Sequence, residues 1–212
     1  MLDFSNSKIL IVGDVMLDKY YFGKVDRISP EAPVPIVNIQ KEESRLGGAS
    51  NVANNIVSLG GHSLLCGVIG HDLFGKEIER ISRHKNIDTF LLKTSSPTIT
   101  KARIIGGKQQ IVRVDYEDKS ELNADNKKLF RDTISRILPE YDILVISDYG
   151  KGLISEDLCR YLIKLAHKYD KKVIIDPKGK NWEKYSGADI VTPNVKELSD
   201  IVGYTVPNTD RA

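Results

Sequence analysis

The feature that most constrains this chain is a series of short, unbroken apolar runs that end on glycine or an acid. The first is Lys8-Ile-Leu-Ile-Val-Gly-Asp14, and similar runs occupy 63–69, 142–147, 172–176 and 188–192. A strand with one wet face alternates polar and apolar residues, whereas an unbroken run fits a strand covered on both faces. Between the runs lie helical patterns at 49–59, 74–85, 126–138 and 156–169. In the last, Leu158, Leu162, Ile163 and Leu165 form one stripe. Ser155 can cap that helix, and Glu156 and Asp157 complement its dipole. The alternation predicts an α/β fold: a parallel sheet with helices on both faces. With 212 residues, 41% of them apolar, the chain has material for one domain with a small appendage.

Two segments break the alternation. Residues 20–39 hold two extended pieces around Ser29-Pro-Glu-Ala-Pro33, and 98–116 read as two strands joined at Gly106-Gly107, a hairpin signal. Neither has a crossover helix. They are expected to pair as a separate small sheet, a β lid. There are no internal repeats and no low-complexity stretch.

In open α/β sheets the ligand lies beyond the carboxyl ends of the strands. The residues expected there are Asp14, Gly67 to Gly70, Asp148-Tyr-Gly-Lys-Gly152, Asp176-Pro-Lys-Gly179 and Thr192-Pro-Asn194. Carboxylates accept bonds from hydroxyls, lysines and backbone amides hold phosphates, and glycines let the chain come close. This is a composition for a polyhydroxylated, phosphorylated ligand. Charge points to no other partner class. The 31 basic and 29 acidic residues give +2, with no global pull toward nucleic acid or membrane. No apolar run approaches membrane-spanning length, and Met1 to Lys8 lacks a signal-peptide layout. Cys66 and Cys159, the two cysteines, have no metal spacing and read as buried apolar residues in a reducing compartment. A cytoplasmic location is expected.

Several motifs carry both a structural and a chemical reading. Gly70-His-Asp-Leu-Phe-Gly-Lys-Glu77 nearly matches a P-loop, but Glu77 stands where Ser or Thr should hold magnesium, and a carboxylate there would repel phosphate. A plain turn and helix start fits better. Gly47-Gly48 before a helix is a common turn; glycines there would also let a ligand lie against the backbone, and the Asn51 amide can bond hydroxyls. Asn194-Val-Lys-Glu197 reads as a helix cap, Asn at the N-cap and Glu at N3. The same pair could organise a metal and phosphates through water. Lys101, Arg103 and Arg113 lie on the expected hairpin, either as a solvated lid face or as a clamp for a substrate phosphate.

These stretches carry a family resemblance: Val12-Gly-Asp-Val-Met-Leu-Asp-Lys-Tyr20, Arg27-Ile-Ser-Pro-Glu-Ala-Pro-Val-Pro35, Gly47-Gly-Ala-Ser-Asn-Val-Ala53, Pro97-Thr-Ile-Thr-Lys-Ala-Arg103, Gln109-Gln-Ile-Val-Arg-Val-Asp115, Ser147-Asp-Tyr-Gly-Lys-Gly152, Asp176-Pro-Lys-Gly179 and Thr192-Pro-Asn194. The chain resembles the PfkB family of ribokinase-type sugar kinases, most closely its bacterial heptose-7-phosphate kinases. The resemblance covers nearly the whole chain, so residues 1–212 are expected to be a partial ribokinase-like kinase domain.

The resemblance implies ATP and Mg²⁺ as cofactors and phosphoryl transfer to the anomeric 1-hydroxyl of D-glycero-β-D-manno-heptose 7-phosphate, on the route to ADP-heptose for the lipopolysaccharide core. Carried over by position, Asp14, Gly47, Gly48 and Asn51 would bind the sugar, and Lys101, Arg103 and Arg113 would face it and its phosphate from the lid. Asn194, Glu197 and Lys178 would lie at the ATP phosphates, with Glu197 at magnesium through water. Ser50 departs mildly from the usual small residue and should be tolerated. A homodimer through the lid is implied. The family's Gly-Ala-Gly-Asp motif, which supplies the general base, does not occur here and would lie beyond Ala212, so the chain as it stands is expected to lack its catalytic base. Two alternatives use the same residues: another PfkB-type sugar-phosphate or nucleoside kinase, and a non-catalytic sugar-phosphate-binding or dimerisation module.

Overall fold

A computed structural model of the chain describes residues 4–118 and 120–206. The elements run β1 (Lys8–Gly13), β2 (Val15–Ile28), β3 (Pro35–Gly48), α1 (Ala49–Ser58), β4 (His62–Gly70), α2 (Leu73–His84), β5 (Asp88–Thr94), β6 (Thr100–Gly106), β7 (Gln109–Tyr116), α3 (Ala124–Ile137), β8 (Ile143–Ser147), α4 (Glu156–Lys168), β9 (Lys172–Asp176), β10 (Ile190–Val191) and α5 (Val195–Val202). Six strands form one parallel sheet in the order β10-β9-β8-β1-β4-β5.

The unbroken apolar runs do what their composition demands. Along β1, Leu10 and Val12 turn to one face and pack with Phe130 and Ile134 of α3 and Leu158, Cys159 and Leu162 of α4. Ile11 turns to the other face, among Leu65 and Ile69 of β4, Ala49 and Ala53 of α1, and Ile78 and Ile81 of α2. Burying each such side chain stabilises the fold by about 1.5–3 kcal/mol. Cys66 and Cys159 are buried and unpaired in this core, where burial pushes the Cys159 thiol up to about 12. They are inert packing groups. Among the described residues, no helix is long and apolar enough to cross a membrane.

The helices start and stop close to the expected positions because their caps are in the sequence. Asp72 accepts the Gly75 amide at 2.8 Å at the head of α2, and also the Thr98 amide and hydroxyl. The near-P-loop is thus a capped helix start, with Glu77 paired to Arg80 on the surface. Ser155 accepts the Leu158 amide at the head of α4.

Four strands differ from expectation. β5, which pairs parallel with β4, has no counterpart among the expected runs. It is the sheet's edge, only partly covered, so its polar positions interrupt the apolar signal. β10 shrinks to Ile190–Val191. The lid is larger than 20–39 and 98–116. β2 leaves β1 with only Asp14 between them, and β3 runs on to Gly48, where α1 begins. The lid sheet has the order β3-β2-β6-β7, with β2 parallel to β6 and the other pairs antiparallel. The turn at its tip is Gly107-Lys108, where Gly107 takes φ 62.

Candidate functional site

A cleft opens between the lid and the carboxyl edge of the main sheet. It is lined by Met16, Asp18 and Arg45 to Gly48 from the lid, Asn51 and Asn54 from α1, Ile81 and Lys85 at the end of α2, Lys101 and Arg103 from β6, and Tyr149 from the loop after β8. Residues directly opposite each other across paired strands share a face, so register explains the lid wall. Arg45, Asp18, Lys101 and Asp115 form one row across the four strands, and Glu43, Tyr20, Arg103 and Arg113 form the next.

The floor is glycine for steric reasons. A Cβ on Gly47 would come 2.5 Å from Asp18 Oδ2, and Gly48 takes φ 56, which side chains disfavour. Asn51 lies in the first turn of α1. The Ser50 hydroxyl is buried and donates to the Gly47 carbonyl at 2.9 Å, so serine finds a partner there.

The charges are organised. Arg103 Nη1 donates to Asp18 Oδ1 at 2.6 Å. Lys101 has no carboxylate partner among the described residues. Its Nζ lies 5.8 Å from the centroid of the Tyr149 ring. Burial, with the nearby charges of Lys151, Arg113 and Arg103, holds its ammonium below the usual 10.5, although Asp18 pulls the other way. Arg113 stands in the same row as Arg103, but it is exposed, binds Asp115 through two bonds of 2.8 and 2.9 Å, and does not line the cleft.

Asp14 adjoins that cleft without lining it: a Cβ on Gly48 would come 2.4 Å from its carbonyl oxygen. It is 2% exposed. Its Oδ2 accepts the amides of Tyr149 and Lys151 at 2.8 and 3.1 Å, and its carbonyl accepts the Ala49 amide at 3.0 Å. Burial raises its pKa against those backbone bonds. It lines a neighbouring cavity of about 340 Å³ at the root of the lid. Geometrically it ties the β1 end to the loop after β8.

Near Tyr149 is a second cluster. Asn194 caps α5: its Oδ1 accepts the Glu197 amide at 2.9 Å, and its own amide donates to Glu197 Oε2 at 3.0 Å. Lys178 Nζ donates to the other oxygen, Oε1, at 2.9 Å. Burial would raise Glu197, but these bonds hold it below the usual range. Asp176 is raised, first by burial and then by the charge of Glu197. Two carboxylates this close, beside a lysine and a helix N-terminus, suit a hard cation and phosphate together. Among the described residues no cluster of three or more His, Cys, Asp or Glu forms a metal cage, so magnesium here would take most of its ligands from water and phosphate.

A buried network joins the two loops. Asp148, 2% exposed, accepts from the Lys184 ammonium, from the Tyr185 hydroxyl at 2.8 Å and from the Gly150 amide at 2.7 Å. The same Tyr185 hydroxyl accepts the Lys178 amide at 2.8 Å.

The structure therefore gathers Gly47, Gly48, Asn51, Lys101 and Arg103 in one cleft and Asn194, Glu197 and Lys178 in a cluster, and leaves Asp14 and Arg113 outside both. It adds Asp18, Tyr149 and Arg45. Asp18 had a period-two signal, since Met16, Asp18 and Tyr20 alternate once β2 is seen to begin at Val15. Tyr149 lies in the Asp148–Gly152 stretch expected at the ligand edge of the sheet, whereas Arg45 carries no signal of its own; strand pairing brings it in.

Known proteins give this geometry a family. The model of the pfkB family carbohydrate kinases matches residues 6–211. The bifunctional protein HldE of Helicobacter pylori strain P12 is 48% identical over 193 residues, 90% of this chain and 42% of that protein. The D-beta-D-heptose 7-phosphate kinase of Bordetella bronchiseptica is 44% identical over 200 residues, 94% of this chain and 63% of that protein. This chain therefore spans less than half of the HldE relative. The tetrameric inhibited form of Escherichia coli phosphofructokinase-2 superposes with a TM-score of 0.74 at 21% identity, over 96% of this chain and 66% of that one, which shows a shared fold. The chain belongs to the pfkB family of carbohydrate kinases.

Proposed function

We propose that this chain forms the sugar-phosphate side and part of the nucleotide side of an ATP-dependent kinase acting on the anomeric hydroxyl of D-glycero-β-D-manno-heptose 7-phosphate, in the cytoplasm and on the route to ADP-heptose. One observation carries the reading. Tyr149 lies beside Lys101 of the cleft and near Asp176 and Glu197 of the second cluster, whose charges, with that of Asp18, raise its hydroxyl after burial does. A kinase needs that adjacency, a polyol site and a phosphate site meeting at one wall, because its chemistry is mostly positioning and charge neutralisation. The name of the Bordetella bronchiseptica relative supports the choice of sugar.

In this reading Asp18 and Asn51 bond sugar hydroxyls over the Gly47-Gly48 floor, and Lys101 and Arg103 meet the substrate phosphate. Lys178 and the α5 N-terminus receive the ATP phosphates. Asp176 and Glu197 hold magnesium, Glu197 through water; the ion would neutralise phosphoryl charge. Asp18 is engaged by Arg103, and we assign the general base to the family's Gly-Ala-Gly-Asp motif, which this sequence does not contain. The test is direct. The purified 212-residue chain, given ATP, magnesium and heptose 7-phosphate, should bind the sugar phosphate and show no turnover above background. A longer protein bearing the motif should turn over. Robust turnover by the chain alone would overturn the base assignment. Binding without turnover in every longer form would favour a non-catalytic module.

A further inference from the structure

Tyr149, beside Lys101, is the residue lining the cleft near the nucleotide cluster, so a reacting hydroxyl belongs there. Two strands away from Lys101 in the same lid row stands Arg45 on β3, and Asn54, Ile81 and Lys85 from α1 and the end of α2 also line the cleft. No carboxylate pairs with Lys85 among the described residues. Arg45 pairs with Glu43 at 2.8 Å, in the open, with its side chain 60% exposed. Its guanidinium carbon lies 4.9 Å from the centroid of the Tyr20 ring, and that of Arg103 lies 5.2 Å from the same centroid. Tyr20 is thus a shared aromatic backing for two guanidiniums, one from β3 and one from β6.

Resting on the proposed kinase function, we propose that Arg45 is the specificity-determining residue for the substrate's phosphate, taking it together with Arg103 from the Tyr20 ring that the two share. Arg113 takes no part. Four cations line the cleft, Arg45, Lys85, Lys101 and Arg103, against one lining acid, Asp18; Arg103 pairs with Asp18 and Arg45 with Glu43, which leaves Lys85 and Lys101 without a bonded carboxylate among the described residues. Such an excess is costly until an anion arrives. A seven-carbon sugar has its reacting hydroxyl at one end and its phosphate at the other, and the guanidinium fork suits the phosphate. Stacking on Tyr20 fixes the fork in advance, which lowers the entropy lost on binding. Glu43 is the placeholder the phosphate displaces.

The test uses calorimetry on the intact protein carrying this sequence, with heptose 7-phosphate, the unphosphorylated heptose and ATP as probes. Arg45→Ala should weaken heptose 7-phosphate about tenfold or more and leave the unphosphorylated heptose and ATP within about twofold. Arg45→Lys should fall between, and Arg113→Ala should match the parent. Glu43→Gln removes the competing carboxylate and should tighten heptose 7-phosphate by about twofold or more. A purely structural Arg45–Glu43 pair would instead make both variants less stable without changing affinity. If Arg113→Ala carries the loss and Arg45→Ala does not, the assignment is overturned while the kinase function stands. If the parent protein binds no sugar phosphate at all, both fall together.

Discussion

Lys101 is partly buried in the cleft without a direct bond to a carboxylate, although Asp18 and Asp115 flank it in the lid row, and its proton is the most revealing in the site. Desolvation, assisted by three neighbouring cations, depresses its pKa below 10.5. A bound phosphate acts in the opposite sense and restores the ammonium. Binding must therefore take up a proton once the pH approaches the depressed value, and affinity for heptose 7-phosphate should fall with rising pH before 10.5 is reached. Titration calorimetry in buffers of different ionisation enthalpy should detect that uptake. Lys101→Arg, charged at every accessible pH, should remove the alkaline fall; an unchanged profile would assign it to another group. Not all such residues were visible in the chain. Gly47, Gly48, Asn51, Asn194 and Glu197 were legible because their roles are local, fixed by turns and caps within a few positions. Asp18 and Arg45 face each other only because β2 and β3 pair in one register, and one residue of slip would turn both away.

Strands and loops set a second level, where the weak point is the junction of β8 and β9. One hydroxyl, that of Tyr185, bonds the Asp148 carboxylate and the Lys178 amide, and so holds the loop that carries Lys178 against the loop that carries Tyr149. Tyr185→Phe keeps the packing of a ring 3% exposed and deletes both bonds. A part-buried amide left without its partner and a buried carboxylate that keeps only Lys184 and the Gly150 amide cost about 1 kcal/mol, which should appear as a lower urea midpoint with an unchanged slope. The same variant should weaken ATP more than sugar phosphate, because the freed loop carries the lysine that meets Glu197. A variant as stable as the parent would show that the hydroxyl is dispensable. Elements were legible in the sequence where burial is symmetric: β1, β4, β8 and β9 read as continuous apolar runs. β5 did not, since an edge strand covered in part mixes polar and apolar residues. The lid's full length was also hidden, because β2 continues straight out of β1 and no turn residue marks the border.

At the scale of the whole molecule, the lid has two faces with different chemistry, and this governs assembly. Arg113 and Asp115 of β7 point with the cleft row, so Val112, Val114 and Tyr116 alternate onto the opposite face, where they are 44%, 40% and 46% exposed. Further out, Val25, Ile28 and Val34 are also exposed. β7 and β3 are the edge strands of the lid sheet, and an edge strand presents a row of backbone groups with no ladder partner on that side. Exposed apolar residues on a long open sheet invite another strand or sheet, and a second copy of the same chain offers a matching one by symmetry. We propose that two copies pack lid to lid through this outer face. The cleft row points the other way, so pairing would leave both cleft mouths open. Light scattering at micromolar concentration should then report a dimer. Val114→Glu places a charge in the middle of the apolar face and should shift the population to monomer, while Arg113→Ala, on the cleft side of the same strand, should leave it dimeric. A folded, stable monomer of the parent chain at that concentration would show that the outer face is simply solvated. A dimer indifferent to Val114→Glu would move the interface off the lid.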